Sequence, residues 1–133
     1  MRNRILERFI AECLREDVGD GDHSTLACIP DDTSGKARLL IKQKGILSGC
    51  SVAEEVFRII DPGLKFEPFI GDGSRISPGE IAFHVTGKVH SILKSERLVL
   101  NIMQRMSGIA TITGMYVEKL AGLPTKVLDT RKT

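Results

Sequence analysis

The sequence is short of several things, and each shortage narrows its chemistry. Tryptophan is absent and tyrosine occurs once in 133 residues, while 19 lysines and arginines are interspersed with 17 aspartates and glutamates. A net charge of +2 with no basic block and no aromatic stripe is not the footprint of a nucleic-acid binder. No apolar run approaches the ~20 residues of a membrane-spanning helix, so no membrane partner is expected. Residues 1–20 are charged throughout and contain no secretion-signal stretch, which makes the cytoplasm the expected compartment. The cysteines are three, Cys13, Cys28 and Cys50, an odd number without metal-binding spacing. They read as reduced, buried thiols.

What is present describes a globular chain. With 41% hydrophobic and 27% charged residues, the sequence can bury a real core and has no disorder signature. Its length falls short of the roughly 200 or more residues of a complete eight-fold β/α barrel. Ile5, Leu6, Phe9, Ile10, Cys13 and Leu14 recur at helical spacing, which predicts an amphipathic helix over 3–16 whose stripe suits either its own core or a partner subunit. Residues 16–25 crowd carboxylates around Gly19 and Gly21. The calcium-loop order of acids is missing, so the segment reads as a turn capped by Asp and Ser side chains, with His23 a lone loop histidine.

Alternation of Ala37, Leu39 and Ile41 with Arg38 and Lys42 predicts a strand over 36–44, and Gly45 to Gly49 follows as a glycine-bounded apolar element. Ser51 with Glu54 three residues on has capping-box form, opening a helix that Asp61-Pro62-Gly63 stops near Ile60. Strands are expected over 64–70 and 81–89. The pattern is helical again from 91 to about 104, is interrupted at Ser107-Gly108 with Arg105 beside the break, and resumes over 109–120. Gly122 reads as the cap of that second helix, and Lys126-Val127-Leu128 as a new strand. Together these elements predict an α+β fold: helices on one face of a mainly antiparallel sheet, forming an α/β sandwich.

The chain then reaches Asp129-Thr130-Arg131-Lys132-Thr133. Arginine offers a planar fork and lysine a compact charge, so this cluster at a strand end suits a doubly anionic small molecule. On composition alone a solvated basic tail is the competing reading.

Four ordered segments are more specific. Residues 95–111, from Ser95-Glu96-Arg97 through Gln104-Arg105-Met106-Ser107-Gly108 to Thr111, followed by Leu128-Asp129-Thr130-Arg131-Lys132-Thr133, resemble the quinolinate phosphoribosyltransferases, also called nicotinate-nucleotide pyrophosphorylases. Glu16-Asp17 to Ser24-Thr25 and Lys44-Gly45-Ile46-Leu47-Ser48-Gly49 are similar to that family's amino-terminal signatures. The resemblance implies an amino-terminal sandwich domain over 1–110 and, over 111–133, the first helix and strand of an incomplete α/β barrel. It further implies that quinolinate and phosphoribosyl pyrophosphate, with magnesium, yield nicotinate mononucleotide, carbon dioxide and pyrophosphate in NAD biosynthesis.

By the same resemblance Arg105, Thr130, Arg131 and Lys132 are the substrate-binding residues, with Arg105 donated across a homodimer interface. No catalytic residue and no magnesium ligand is assigned within these 133 residues; both are expected in further barrel sequence. The 133-residue chain alone is therefore expected to be inactive. Two alternatives stand beside this reading: a molybdenum-transport-associated homologue of the same fold, and a non-catalytic dimerisation module. Glu96 and Arg97 are expected as structural or interface ion partners, Asp129 as an organiser of the neighbouring cations, and Asn101 and Gln104 as hydrogen-bonding partners of a helix bend.

Overall fold

The computed structural model describes residues 4–130. In chain order the elements are α1 (Arg4–Val18), α2 (His23–Cys28), β1 (Ser34–Leu40), β2 (Gly45–Ile46), α3 (Cys50–Ile60), β3 (Lys65–Pro68), β4 (Arg75–Ile76), β5 (Ile81–Lys88) and α4 (Val89–Lys119). Strands β1, β5 and β3 form an antiparallel sheet with β5 at its centre, and β2 pairs antiparallel with β4 in a separate ribbon. The expected fold class, helices on an antiparallel sheet, is the one observed.

Strand β1 alternates exposed and half-buried residues along its length, as its period-2 pattern requires. Phe83 and Val85 of β5 point into the core, where Phe57 of α3 and Phe66 of β3 meet Phe83 with ring centroids 5.9 and 4.7 Å away. Offset and edge contacts of this kind are favoured by the ring quadrupole and add to the burial of apolar area. Ile10 and Leu14 of α1, and Ile92, Leu98, Val99 and Met103 of α4, complete that core. The stripe of α1 is only partly used: Ile5 and Phe9 are 83% and 50% exposed.

Four local expectations are corrected. Residues 22–25 do not stay in a turn. Asp22 accepts from the Thr25 N–H at 3.1 Å and from its hydroxyl at 2.5 Å, so it caps the short helix α2, and Ser24 lies inside that helix. Ser51 does not cap α3. The cap lies two residues earlier, at Gly49, whose φ of +101° glycine alone adopts easily, and the carboxylate of Asp72 reaches over to accept from Cys50 N–H at 2.7 Å and from the Ser51 hydroxyl at 2.9 Å.

The expected break at Ser107-Gly108 does not occur. Helix α4 runs unbroken for 31 residues, through residues 110 and 111, with Arg105 well inside it instead of beside a bend. Finally, Lys126-Val127-Leu128 forms no strand; the chain is irregular there, because no strand among the described residues lies alongside to share a ladder.

Candidate functional site

Two of the sequence segments singled out above meet in space. Segment 44–49 lies along α4 and is stitched to it by two hydroxyls. The Ser107 hydroxyl accepts from Ser48 N–H at 3.0 Å and donates to Ser48 C=O at 3.1 Å. The Thr111 hydroxyl accepts from Ile46 N–H at 2.9 Å and donates to Ser107 C=O at 2.7 Å. Glycine makes the approach possible: a Cβ on Gly45 would sit 2.7 Å from the Thr111 hydroxyl, and one on Gly114 would sit 2.5 Å from Ile46 Cδ1. The sequence reading missed both hydroxyls as ligands of the strand. Their i, i+4 spacing on a helical pattern is the signal that could have found them.

Arg105 projects from this same stretch of α4 and is exposed. It forms no hydrogen bond or ion pair with the other described residues, so its guanidinium is free to take an anion from outside them. Two cavities flank α4. One of about 660 Å³ lies beside β2 and is lined by Lys42, Lys44, Leu47, Met103, Gln104 and Thr111 among others. The second, about 700 Å³, opens towards the loop between α1 and α2 and includes Asp17, His23, Lys94, Arg97, Asn101 and Gln104. Arg105 lines neither.

The other expected site residues are not gathered with it. Thr130 and Asp129 are exposed in the irregular terminal stretch, and Arg131 and Lys132 lie outside the described residues. Arg97 behaves as the expected ion partner, 3.3 Å from Asp17, and Met103 is buried core filler. Asn101 and Gln104 have no bend to support and line the second cavity instead. The cysteines divide: Cys28 is exposed, against the expectation of a buried thiol, Cys13 is half-buried and Cys50 is buried. Burial, with the Asp72 carboxylate nearby, pushes the Cys50 thiol up to about 11, so it is not a ready nucleophile. Among the described residues no group of three His, Cys, Asp or Glu side chains could hold a metal ion.

The antiparallel sheet and the long helix clamped to segment 44–49 define an α+β module that carries an exposed arginine on α4. The family model for the amino-terminal domain of quinolinate phosphoribosyl transferase matches residues 22–107, and the chain belongs to that family. It is 46% identical over 129 residues to quinolinate phosphoribosyltransferase [decarboxylating] 1b of Nicotiana tabacum, covering 96% of this chain and 36% of the relative. Against a probable nicotinate-nucleotide pyrophosphorylase of Synechocystis it is 35% identical, covering 97% and 43%. The crystal structure of NadC from Streptococcus pyogenes superposes with a TM-score of 0.94 at 36% identity, over all of this chain and 47% of that one. The chain thus spans less than half the length of these relatives.

Proposed function

We propose that the chain is the amino-terminal part of an enzyme that converts quinolinate and phosphoribosyl pyrophosphate to nicotinate mononucleotide, pyrophosphate and carbon dioxide. The new bond joins the pyridine nitrogen to the ribose anomeric carbon as pyrophosphate leaves. Carbon dioxide departs from the adjacent carboxylate and a proton takes its place on the ring. Both substrates are polyanions, and a cationic pocket shielded from water serves both. The observation that carries this reading is an arginine on α4 without a partner among the other described residues, within a family match that names quinolinate.

In this proposal Arg105 grips a carboxylate of quinolinate in a site completed by a second copy of the chain. Thr130, Arg131 and Lys132 serve the same substrate from the first barrel strand, which forms once its neighbouring strands are present. Domain 1–110 carries the sandwich and 111–133 opens the barrel. An exposed apolar row on α4, including Ile109, Ile112, Met115 and Tyr116, supports a homodimer. Magnesium belongs to the same proposal, with ligands beyond the described residues. No described helix is long and apolar enough to cross a membrane. The cytoplasm is the compartment we assign; plant relatives named chloroplastic and mitochondrial make cell fractionation the check.

Arg105→Ala in the full-length enzyme tests the reading. Loss of a bidentate charged contact costs about 1.5–3 kcal/mol, so kcat/KM for quinolinate should fall about 10- to 100-fold, with KM for phosphoribosyl pyrophosphate little changed. Arg105→Lys should recover only part, because an ammonium cannot reproduce the fork. Unchanged quinolinate kinetics in Arg105→Ala would remove Arg105 from the site.

A further inference from the structure

We propose that Ser107 and Thr111 are positioning residues: by hydrogen-bonding the Ile46–Ser48 backbone they fix the roll of α4 and so the direction in which Arg105 is presented. The proposal rests on the reading of Arg105 as a carboxylate ligand.

The geometry of the clamp is a match between two periodicities. The N–H groups of Ile46 and Ser48 are two residues apart on an extended segment, a span of roughly 6.6 Å. Ser107 and Thr111 are four residues apart on one helix face, a rise of about 6 Å. The helix therefore offers Ile46 of β2 and Ser48 just beyond it two side-chain acceptors, on the edge that β4 does not occupy. Each hydroxyl donates once and accepts once, so neither can change partner without leaving a polar group unpaired.

Apolar contacts at the same junction set a distance and not an angle. Ile46 packs where Gly114 has no side chain, and Met103 and Met106 lie against the Gly49 position. Such contacts hold α4 close to the segment, and the buried Ile92, Leu98, Val99 and Met103 fix its earlier turns, but no residue of α4 beyond Met103 is buried. The directional hydrogen bonds resist turning. Arg105 stands two residues from Ser107, about 200° around the helix, so the clamp holds one side while the arginine is offered on the other. With side chains reaching about 5–6 Å from the axis, a 20° roll would shift the Arg105 side chain by about 2 Å. Misplacement on the order of 1 Å can cost about 100-fold in a reacting site.

The test uses the full-length enzyme with Thr111→Val, Thr111→Ser and Ser107→Ala, and Arg105→Ala alongside. Thr111→Val and Ser107→Ala should raise KM for quinolinate about tenfold, leaving kcat and KM for phosphoribosyl pyrophosphate within about twofold. Thr111→Ser, which keeps the hydroxyl, should behave as the parent. If Thr111→Val fails to fold, Ser107→Ala and its hydroxyl-bearing counterpart Ser107→Thr carry the same comparison. Quinolinate KM unchanged in both hydroxyl deletions while Arg105→Ala raises it would overturn the positioning role and leave the reading of Arg105 intact. Equal losses for both substrates, in proportion to a fall in Tm, would also overturn it. An unaffected quinolinate KM in Arg105→Ala overturns both.

Discussion

Asp72 shows how far a single side chain can act from its place in sequence. It sits in the turn before β4, yet its carboxylate receives Cys50 N–H, Ser51 N–H and the Ser51 hydroxyl at the start of α3. Burial pushes its carboxyl up, but those hydrogen bonds, the one from Cys50 foremost, outweigh burial and leave it below the usual carboxylate range. A depressed folded value means stabilisation that is full above the unfolded pKa of about 3.9 and is lost as pH falls through the lower folded value. Asp72→Ala should therefore cost about 1 kcal/mol in urea melts at pH 7 and at pH 5, the size of a lost helix cap. The gap to the parent should narrow below about pH 4, where the parent loses the same interaction. Asp22 and Asp61 are held low by their own hydrogen bonds, from Thr25 and from Gly63 respectively, and both remain in the variant, so the difference isolates Asp72. No local motif announces such a cap. Ser51 and Glu54 have the right spacing, but the carboxylate arriving from 21 residues away takes the helix start.

At the scale of elements, α4 is where periodicity was informative and punctuation misled. Its buried positions, Ile92, Ser95, Leu98, Val99 and Met103, follow the helical repeat. Ser107-Gly108 reads as a break because glycine weakens a helix and serine competes for backbone hydrogen bonds. In the structure the serine hydroxyl is engaged by Ser48 of the neighbouring segment, and the helix continues past it. Gly108 is not the close-packing glycine: a Cβ there would meet nothing within 4 Å, whereas Gly114 and Gly45 have no room for one. Gly108→Ala should accordingly stabilise the 133-residue chain by about 1 kcal/mol, raising its Tm by a few degrees in a calorimetric scan. A fall in Tm would show that Gly108 is needed for packing. The two-residue strands β2 and β4 were beyond sequence reading for a different reason, since an alternation needs more positions than they have.

Across the whole molecule, the sheet and its helical layer were legible because each element carries its own pattern: alternation in β1, a helical stripe in α1 and α3. Family motifs marked the site segments, and the structure brings residues 44–49 and 104–111 together. The terminal segment was less legible. An apolar run such as Lys126-Val127-Leu128 becomes a strand only when another strand completes its hydrogen bonds, and none is available among the described residues. In the proposed dimer, Arg105 on the intact helix of one copy and the Thr130 segment of the other are two parts of one pocket.

The most direct measurement is turnover: the full-length protein containing these residues, supplied with quinolinate, phosphoribosyl pyrophosphate and magnesium, with products resolved by chromatography and mass. The account predicts nicotinate mononucleotide and carbon dioxide in equal amounts from the full-length protein, and no product from the 133-residue chain alone. A folded full-length protein that forms no nicotinate mononucleotide would contradict it.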